Sequence, residues 1–184
     1  MHLFPNTTLI IGGASSGKTK FAEELTLKQG SRPLYVATAQ PHDEEMKEKI
    51  KIHQKSRASH NWETIEAHYD LANKINNLNL KLFDTVLIDC LTMWLTNHYL
   101  KDNDIFKESL KLISAIQRAQ INLVIVTNEI GYSVVPENKM AREFQKIQGR
   151  LNQQIALEVQ RVIQVVAGLP IVIKENVPQT EHEN

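Results

Sequence analysis

The fold of this chain is decided by Gly12-Gly13-Ala14-Ser15-Ser16-Gly17-Lys18-Thr19, a complete match to the phosphate-binding pattern G-x-x-x-x-G-K-[ST]. It lies between an apolar run, residues 9–11, and an amphipathic run, residues 21–27. The glycines allow the backbone to curl with its N–H groups toward phosphate oxygens, and the following helix adds the positive end of its dipole. Lys18 is expected to reach the β and γ phosphates and Thr19 to bind Mg²⁺. The segment therefore predicts a site for a nucleoside triphosphate with its Mg²⁺.

Short apolar runs alternate with helical patterns along the rest of the chain. We expect strands at residues 9–11, 33–37, 85–89, 122–127, 162–167 and 171–174, and helices at about 19–29, 43–56, 91–100, 104–119 and 139–160. Residues 168–170 are too few for a helical crossover between the last two strands, so these strands should be antiparallel. The sequence predicts an α/β fold of three layers, similar to P-loop NTPases, with a mainly parallel sheet and an antiparallel C-terminal strand.

Length and composition limit the organisation of the chain. With 184 residues, of which 42% are hydrophobic, it has enough material for one substantial core, and we expect a single domain over residues 1–174. The remainder, 175–184, is polar, contains Pro178 and lacks periodicity, which is typical of a disordered tail. In the helix expected at 139–160, apolar residues recur every three or four positions from Met140 to Val159 and require a partner surface.

Charge and cysteine content exclude several functional classes. Lys and Arg balance Asp and Glu at 21 each, so nothing favours a general nucleic-acid surface, and a small-molecule partner is expected. The single cysteine, Cys90, excludes an internal disulfide and a cysteine-built metal site. No apolar stretch of about 18 residues predicts a membrane span, and no secretion signal is visible. These features are typical of a cytoplasmic enzyme.

Polar residues end two of the expected strands. Asp89 follows an apolar run and resembles the second metal-handling position of nucleotide enzymes, although strands also end in Asp for solvation. Residues 127–129, Thr-Asn-Glu, end the next strand and are compatible with either a site or a polar turn. Because successive parallel strands deliver their C-terminal residues to one crevice, both segments are candidates for the nucleotide site.

His53 lies on the apolar stripe of the helix expected at 43–56. Met46, Ile50, His53 and Arg57 recur at helical spacing, so His53 faces inward. A histidine in that position is usually a hydrogen-bonded core residue, but a neighbouring guanidinium would also allow an imidazole nucleophile to meet a phosphate. On the late helix, Arg142 and Arg150 share a face and are either solvated or in contact with phosphate or a second subunit.

The ordered motifs resemble one known family over residues 9–174. It is the bifunctional adenosylcobinamide kinase / adenosylcobinamide-phosphate guanylyltransferase family of cobalamin biosynthesis. The resemblance is carried by the phosphate-binding segment, Tyr35-Val36-Ala37-Thr38-Ala39, Asp43, Glu45-Met46, Ile50, His53, Arg57, Trp62, Thr64, Glu66, Asp89-Cys90-Leu91-Thr92, Trp94-Leu95-Thr96-Asn97, Thr127-Asn128-Glu129-Ile130-Gly131, Val135-Pro136-Glu137-Asn138, Arg142, Phe144 and Gly149-Arg150-Leu151-Asn152-Gln153.

The resemblance implies two reactions and a covalent intermediate. A nucleoside triphosphate, ATP or GTP, phosphorylates the hydroxyl of adenosylcobinamide, and GTP then donates GMP to that phosphate with release of pyrophosphate. The family's guanylylated histidine matches His53, and Ile52 replaces the second histidine that often precedes it, which favours His53 as the nucleophile. Ala58 replaces a common proline, which concerns only the local loop shape. The resemblance also implies a homotrimer.

The same resemblance implies catalytic roles for His53 and Lys18 and a wider set of nucleotide contacts. Besides residues 12–19, these are Ala39, Gln40, Pro41, Gln54, Lys55, Ser56, Arg57, Glu66 and Asp89, with Thr19 and Asp89 as the Mg²⁺ ligands. Two other functions remain open from the residues alone. A plain small-molecule kinase would use only the γ phosphate and leave His53 in the core, and a nucleotide-dependent binding switch would show no turnover.

Overall fold

The computed structural model describes residues 6–40 and 61–176. The strands are β1 (Thr7–Gly12), β2 (Pro33–Ala37), β3 (Glu63–Glu66), β4 (Thr85–Asp89), β5 (Asn122–Asn128), β6 (Arg161–Val166) and β7 (Leu169–Glu175). The helices are α1 (Lys18–Gln29), α2 (Leu71–Asn76), α3 (Leu91–Leu100), α4 (Ile105–Arg118) and α5 (Lys139–Glu158).

The described strands form one sheet in the order β3-β2-β4-β5-β1-β6-β7. Every neighbouring pair is parallel except β6 and β7, which are antiparallel. The central strands are buried along nearly their whole length, as is typical of parallel strands covered on both faces. The predicted α/β architecture, with an antiparallel C-terminal strand, is confirmed.

Successive side chains along each strand point to opposite faces of the sheet, so the core is divided into two clusters. Leu9 and Ile88 belong to the apolar cluster that α2, α3, α4 and α5 cover, whereas their neighbours Ile10 and Leu87 belong to the cluster on the side of α1. In α5, Leu151 and Ile155 pack into the first cluster, so the chain's own core covers most of the predicted stripe. Met140, at its start, is 54% exposed.

Two described elements were not predicted, β3 and α2. The β3 residues Glu63–Glu66 are Glu-Thr-Ile-Glu and are mostly exposed, because this strand lies at the edge of the sheet. α2 is only six residues long, which is too short for a periodic pattern. The helix expected at 43–56 lies outside the described residues.

The C-terminal hairpin differs from the prediction at both of its ends. Ala167 was expected in a strand, but Ala167 and Gly168 form a two-residue turn, with φ values of 51° and 79°. β7 ends at Glu175, the first residue of the expected tail, and the carboxylate of Glu175 lies 3.0 Å from Arg161 Nε. Residues 177–184 of that tail lie outside the described part. Over the ranges 6–40 and 61–176, no helix is long and apolar enough to cross a membrane.

Candidate active site

The phosphate-binding segment forms a loop between β1 and α1. Gly17 is the N-cap of α1 and has a φ of 89°, a left-handed conformation that favours glycine. Ser15, with a φ of 56°, also turns the backbone in this direction. The amide of Ser16 donates to the carbonyl of Gly13 at 3.3 Å and closes the turn. The loop thus presents backbone N–H groups and the N-terminal end of a 12-residue helix at the same point, which is suited to binding an anion.

Lys18 is held inside this loop. Its side chain is buried, and Nζ donates a 3.0 Å hydrogen bond to the carbonyl of Gly13. Burial of the ammonium lowers the pKa of Lys18, while Cys90 and Asp89 act in the opposite direction. A poorly solvated ammonium fixed at the N-terminal end of a helix is a strong partner for phosphate oxygens.

Asp89 ends β4, and the sheet order places β5 between that strand and β1. Its carboxylate Oδ2 accepts a 3.0 Å hydrogen bond from the hydroxyl of Tyr35. The backbone at this point is fixed by Thr38, whose amide donates to the carbonyl of Asp89 at 3.2 Å and whose hydroxyl bonds both backbone groups of Cys90. Asp89 therefore presents a carboxylate at the same edge of the sheet as the phosphate loop.

The polar groups at this edge fit Mg²⁺ that arrives with a nucleotide. The hydroxyl of Thr19 and the carboxylate of Asp89 are hard oxygen donors, which this ion prefers. The hydroxyl of Ser16 is buried and has no hydrogen-bond partner among the described residues. No group of three or more His, Cys, Asp or Glu side chains that could hold a metal occurs in the same ranges.

The two polar residues at the end of β5, Thr127 and Asn128, differ in their hydrogen bonding. The hydroxyl of Thr127 is buried and bonds Gln148 and Asn152 from α5. Asn128 pairs with Gly12 across the sheet, and its Oδ1 is buried without a hydrogen-bond partner in the described structure. Thr127 thus anchors α5, while Asn128 lies beside the start of the phosphate loop.

Glu66 and the residues after β2 lie at the same end of the sheet. Glu66 pairs with Ala37 at the ends of β3 and β2, and its side chain is 74% exposed. His68 contacts it with Nε2 3.2 Å from Oε2, while His68 Nδ1 lies 3.2 Å from the carbonyl of Thr38. Gln40 accepts a long 3.4 Å hydrogen bond from the hydroxyl of Tyr69.

The structure thus brings residues 12–19, Ala39, Gln40, Glu66 and Asp89 to one edge of the sheet. The other predicted site residues lie outside the described ranges, namely Pro41, His53, Gln54, Lys55, Ser56 and Arg57. Of the two arginines on α5, Arg142 donates to the carbonyls of Pro136 and Glu137 and so fixes the preceding loop, whereas Arg150 is exposed.

The sequence of the chain matches one family over residues 8–173, described as cobinamide kinase / cobinamide phosphate guanyltransferase (CobU). The chain belongs to this family. It is therefore an enzyme of the kinase and guanylyltransferase type, and the resemblance inferred from the motifs is confirmed.

Similar proteins support this membership. The chain is 38% identical to the bifunctional adenosylcobalamin biosynthesis protein CobU of Escherichia coli and to that of Salmonella typhimurium, in each case over 90% of this chain and 98% of the relative. It is also 38% identical to the bifunctional adenosylcobalamin biosynthesis protein CobP of Pseudomonas aeruginosa, over 90% of this chain and 96% of that protein.

Solved structures of distant sequence share the fold of this family member. A KaiC-like protein from Pyrococcus horikoshii superposes with a TM-score of 0.54 at 13% identity, covering 98% of this chain and 84% of that one. A second structure from the same organism, described only by its project number, gives a TM-score of 0.52 at 11% identity and covers 94% and 89% of the two chains.

The sequence indicated no role for the hydroxyls of Tyr35 and Thr38, although both residues belong to the family's motifs. The position of Tyr35 in the middle of a buried strand does indicate a contact, because a buried tyrosine hydroxyl needs a hydrogen-bond partner. The partner could not be named, since it depends on the register of β2 against β4.

Proposed function

We propose that this enzyme phosphorylates adenosylcobinamide with ATP or GTP and then transfers GMP from GTP to the product, giving adenosylcobinamide-GDP and pyrophosphate. The observation that carries the proposal is the buried Lys18 ammonium inside a phosphate loop, with Asp89 at the same edge of the sheet. The relatives at 38% identity are named bifunctional adenosylcobalamin biosynthesis proteins, which supports the same substrates.

In the kinase step the substrate hydroxyl attacks the γ phosphorus, and the bond from that phosphorus to the β–γ bridging oxygen breaks. The hydroxyl proton passes to solvent water, and a nucleoside diphosphate is the leaving group. The N–H groups of the loop and Lys18 stabilise the negative charge that develops on that leaving group. Mg²⁺, when bound with the nucleotide at Thr19 and Asp89, supplies further neutralisation of phosphate charge.

In the guanylyl step we propose that a ring nitrogen of His53 attacks the α phosphorus of GTP. The bond to the α–β bridging oxygen breaks, pyrophosphate leaves, and a phosphorus–nitrogen bond holds GMP on the enzyme. An oxygen of the phosphorylated substrate then attacks the same phosphorus and breaks that bond. His53 must be neutral to attack, so guanylylation should decline below about pH 6, given an ordinary histidine pKa of about 6.5.

The proposal is tested with GTP labelled at the α phosphate. The enzyme is incubated with this GTP and Mg²⁺ and then denatured, and label on the polypeptide is followed through acid and base. A phosphoramidate is labile in acid and stable in base, so we expect label with that profile. It should be lost in His53→Ala and kept in the control His60→Ala, a histidine to which the family motifs give no role.

The kinase step is tested separately with γ-labelled ATP or GTP and adenosylcobinamide. Lys18→Ala should weaken both reactions, whereas His53→Ala should abolish GMP transfer and leave phosphorylation less affected. Transfer of the γ label without any protein-bound GMP would instead favour a plain small-molecule kinase. Full guanylyl transfer by His53→Ala would show that the assignment of the nucleophile is wrong.

We also propose that the enzyme is a homotrimer, as the family resemblance implies. Exposed apolar side chains support an assembly surface. Along the edge strand β7, Leu169 is 70%, Ile171 52% and Ile173 59% exposed. Light scattering during size-exclusion chromatography should give three times the mass of 21.0 kDa for one chain. Ile171→Lys should lower that mass if β7 forms the contact, and an unchanged trimer would place the contact elsewhere.

A further inference from the structure

The hydroxyl of Tyr35 donates a 3.0 Å hydrogen bond to Oδ2 of Asp89. Tyr35 lies in β2 and is 5% exposed, and its ring packs edge-on against Trp62 with a centroid distance of 6.2 Å. The tyrosine is thus fixed by packing, whereas Asp89 is only partly buried at the end of its strand.

The sheet register accounts for this contact. Tyr35 pairs with Leu87 of β4, and both side chains belong to the apolar cluster on the side of α1. Asp89 follows Leu87 by two residues and so extends toward the same face. A long aromatic side chain reaches such a diagonal neighbour across paired strands. The contact therefore follows from the backbone arrangement of two central strands.

The ammonium of Lys18 is the opposite charge that Asp89 influences. The negative charge of Asp89 acts on Lys18, as the opposing effect on the pKa of that ammonium shows. Within the described ranges, however, Lys18 and Asp89 form no direct ion pair, and Lys18 Nζ bonds the carbonyl of Gly13. The hydrogen bond from Tyr35 holds Oδ2 on the β2 side and restricts rotation of the carboxylate.

We infer that Tyr35 is a positioning residue that orients Asp89 for Mg²⁺ bound with the nucleotide. This inference rests on the proposed function, because Asp89 is a metal ligand only in that proposal. With Oδ2 occupied by the phenol, Oδ1 remains for the metal, and Lys18 remains for phosphate. Without the phenol, the carboxylate rotates more freely and loses part of its capacity for the metal, whereas Lys18 remains in the phosphate loop.

The test measures how much Mg²⁺ improves GTP binding. The dissociation constant of GTP is determined by calorimetry with Mg²⁺ and with EDTA, and the ratio of the two constants is the metal-dependent gain. We expect Tyr35→Phe to reduce this gain about tenfold, the size expected for one hydrogen bond to a charged group, and to leave binding in EDTA nearly unchanged. An unchanged gain in Tyr35→Phe would overturn the inference.

A matched control and a double variant show whether Tyr35 acts through Asp89. The hydroxyl of Tyr99 also contacts a carboxylate, Glu143 Oε2 at 3.5 Å, and Tyr99→Phe should leave the gain unchanged. Asp89→Asn should lose most of the gain, and adding Tyr35→Phe to it should not reduce the remainder. An additional loss in the double variant would overturn the inference.

The outcomes also separate this inference from the proposed function. Loss of the gain in Asp89→Asn, with none in Tyr35→Phe, overturns the positioning role alone. A normal gain in Asp89→Asn contradicts the proposed metal ligand and overturns the positioning role with it.

A spectroscopic measurement of Tyr35 does not depend on how Tyr35→Phe or Asp89→Asn folds. The chain has four tyrosines, so labelling with [4-¹³C]tyrosine gives four phenol signals, of which three are assigned by substituting Tyr69, Tyr99 and Tyr132. We expect the Tyr35 signal to shift when Mg²⁺ is added to the enzyme with a non-hydrolysable GTP analogue, and not when Mg²⁺ is replaced by EDTA. A Tyr35 signal that does not respond to Mg²⁺ would overturn the inference.

Discussion

The amide of Gly168 donates a 2.8 Å hydrogen bond to the carbonyl of Ser16. This bond joins the turn between β6 and β7 to the phosphate loop. A Cβ atom added to Gly17 would lie 3.1 Å from the Cα of Gly168, so the two segments pack backbone against backbone. The conformation of the loop is therefore supported by the hairpin at one edge of the sheet as well as by β1 and α1.

Gly168→Ala should destabilise the protein and weaken nucleotide binding. Gly168 has a φ of 79°, and a left-handed conformation costs an L-residue about 1–2 kcal/mol, although the added Cβ would meet nothing within 4 Å. Urea unfolding and GTP titration measure the two effects. The control is Gly149→Ala in α5, where an added Cβ also meets nothing within 4 Å, and which should stabilise the helix by about 0.5–1 kcal/mol. A loss of stability of similar size in both variants would contradict this account.

The sequence determined the central sheet well because its strands are buried on both faces. In β4, Val86, Leu87 and Ile88 are three apolar residues in succession without alternation, so a covered parallel strand was the natural prediction. β3 has no such pattern, since Glu63 and Glu66 are both charged and the strand exists only because β2 offers it an edge. A strand that forms by pairing with its neighbour has little strand pattern in its own sequence.

The candidate site was predictable where its residues are contiguous in the chain. Residues 12–19 form one continuous motif, so their meeting at a helix N-terminus needs no tertiary information. The contacts of Asp89 with Tyr35 and of Ser16 with Gly168 join segments far apart in the chain. Such contacts depend on strand order and register, and neither is encoded in the spacing of single residues.

Lys174→Met should destabilise the C-terminal end of α5. The ammonium of Lys174 donates to the carbonyls of Ala156 and Leu157 at 2.9 Å and of Val159 at 2.7 Å. The last carbonyls of a helix lack intrahelical partners and carry the negative end of its dipole, so a loss of about 1–2 kcal/mol is expected. Chemical denaturation measures it, and the exposed Lys146→Met on the same helix should stay within about 0.5 kcal/mol of the parent.

Equal losses in the two lysine variants would mean that Lys174 acts only through its apolar stem or its general charge. A loss confined to Lys174→Met that persists in high salt would fit direct donation to the three carbonyls, because solvent ions screen partly buried contacts, such as those with Ala156 and Val159, weakly.

Cys90 should be inert in the folded protein. Burial, together with the negative charge of Asp89, raises the pKa of its thiol to about 12. At pH 8 the reactive thiolate is then scarcer by about a thousandfold or more than in an unfolded chain, where the pKa is about 8.5. Iodoacetamide should label the native enzyme only through unfolding and should label it rapidly in urea. Labelling of the native protein at the rate seen in urea would show that the thiol is accessible.

His98 should lower the stability of the folded protein as the pH falls. The imidazole is buried beside Trp94, with its Nε2 3.2 Å from the carbonyl of Tyr69 and its Nδ1 3.0 Å from the side-chain nitrogen of Asn103. The first contact needs a donor on Nε2 and the second an acceptor on Nδ1, so both fit the neutral ring. Burial lowers the pKa of His98, the Tyr69 carbonyl and Glu108 oppose this effect, and Lys111 adds to it.

A lowered pKa in the folded state means that the unfolded chain binds the proton first as the pH falls. His98 therefore reduces stability once the pH drops below about 6.5, by at most about 1.4 kcal/mol per pH unit, until the folded protein also binds the proton. Between pH 7.5 and 5, the parent should lose more stability in urea unfolding than His98→Leu, since the variant lacks this proton. Asn103→Asp places an acceptor opposite Nδ1, which favours the protonated ring in the folded state. This variant should therefore also lose less stability between pH 7.5 and 5 than the parent. Identical pH profiles in the parent and His98→Leu would show that His98 titrates alike in both states.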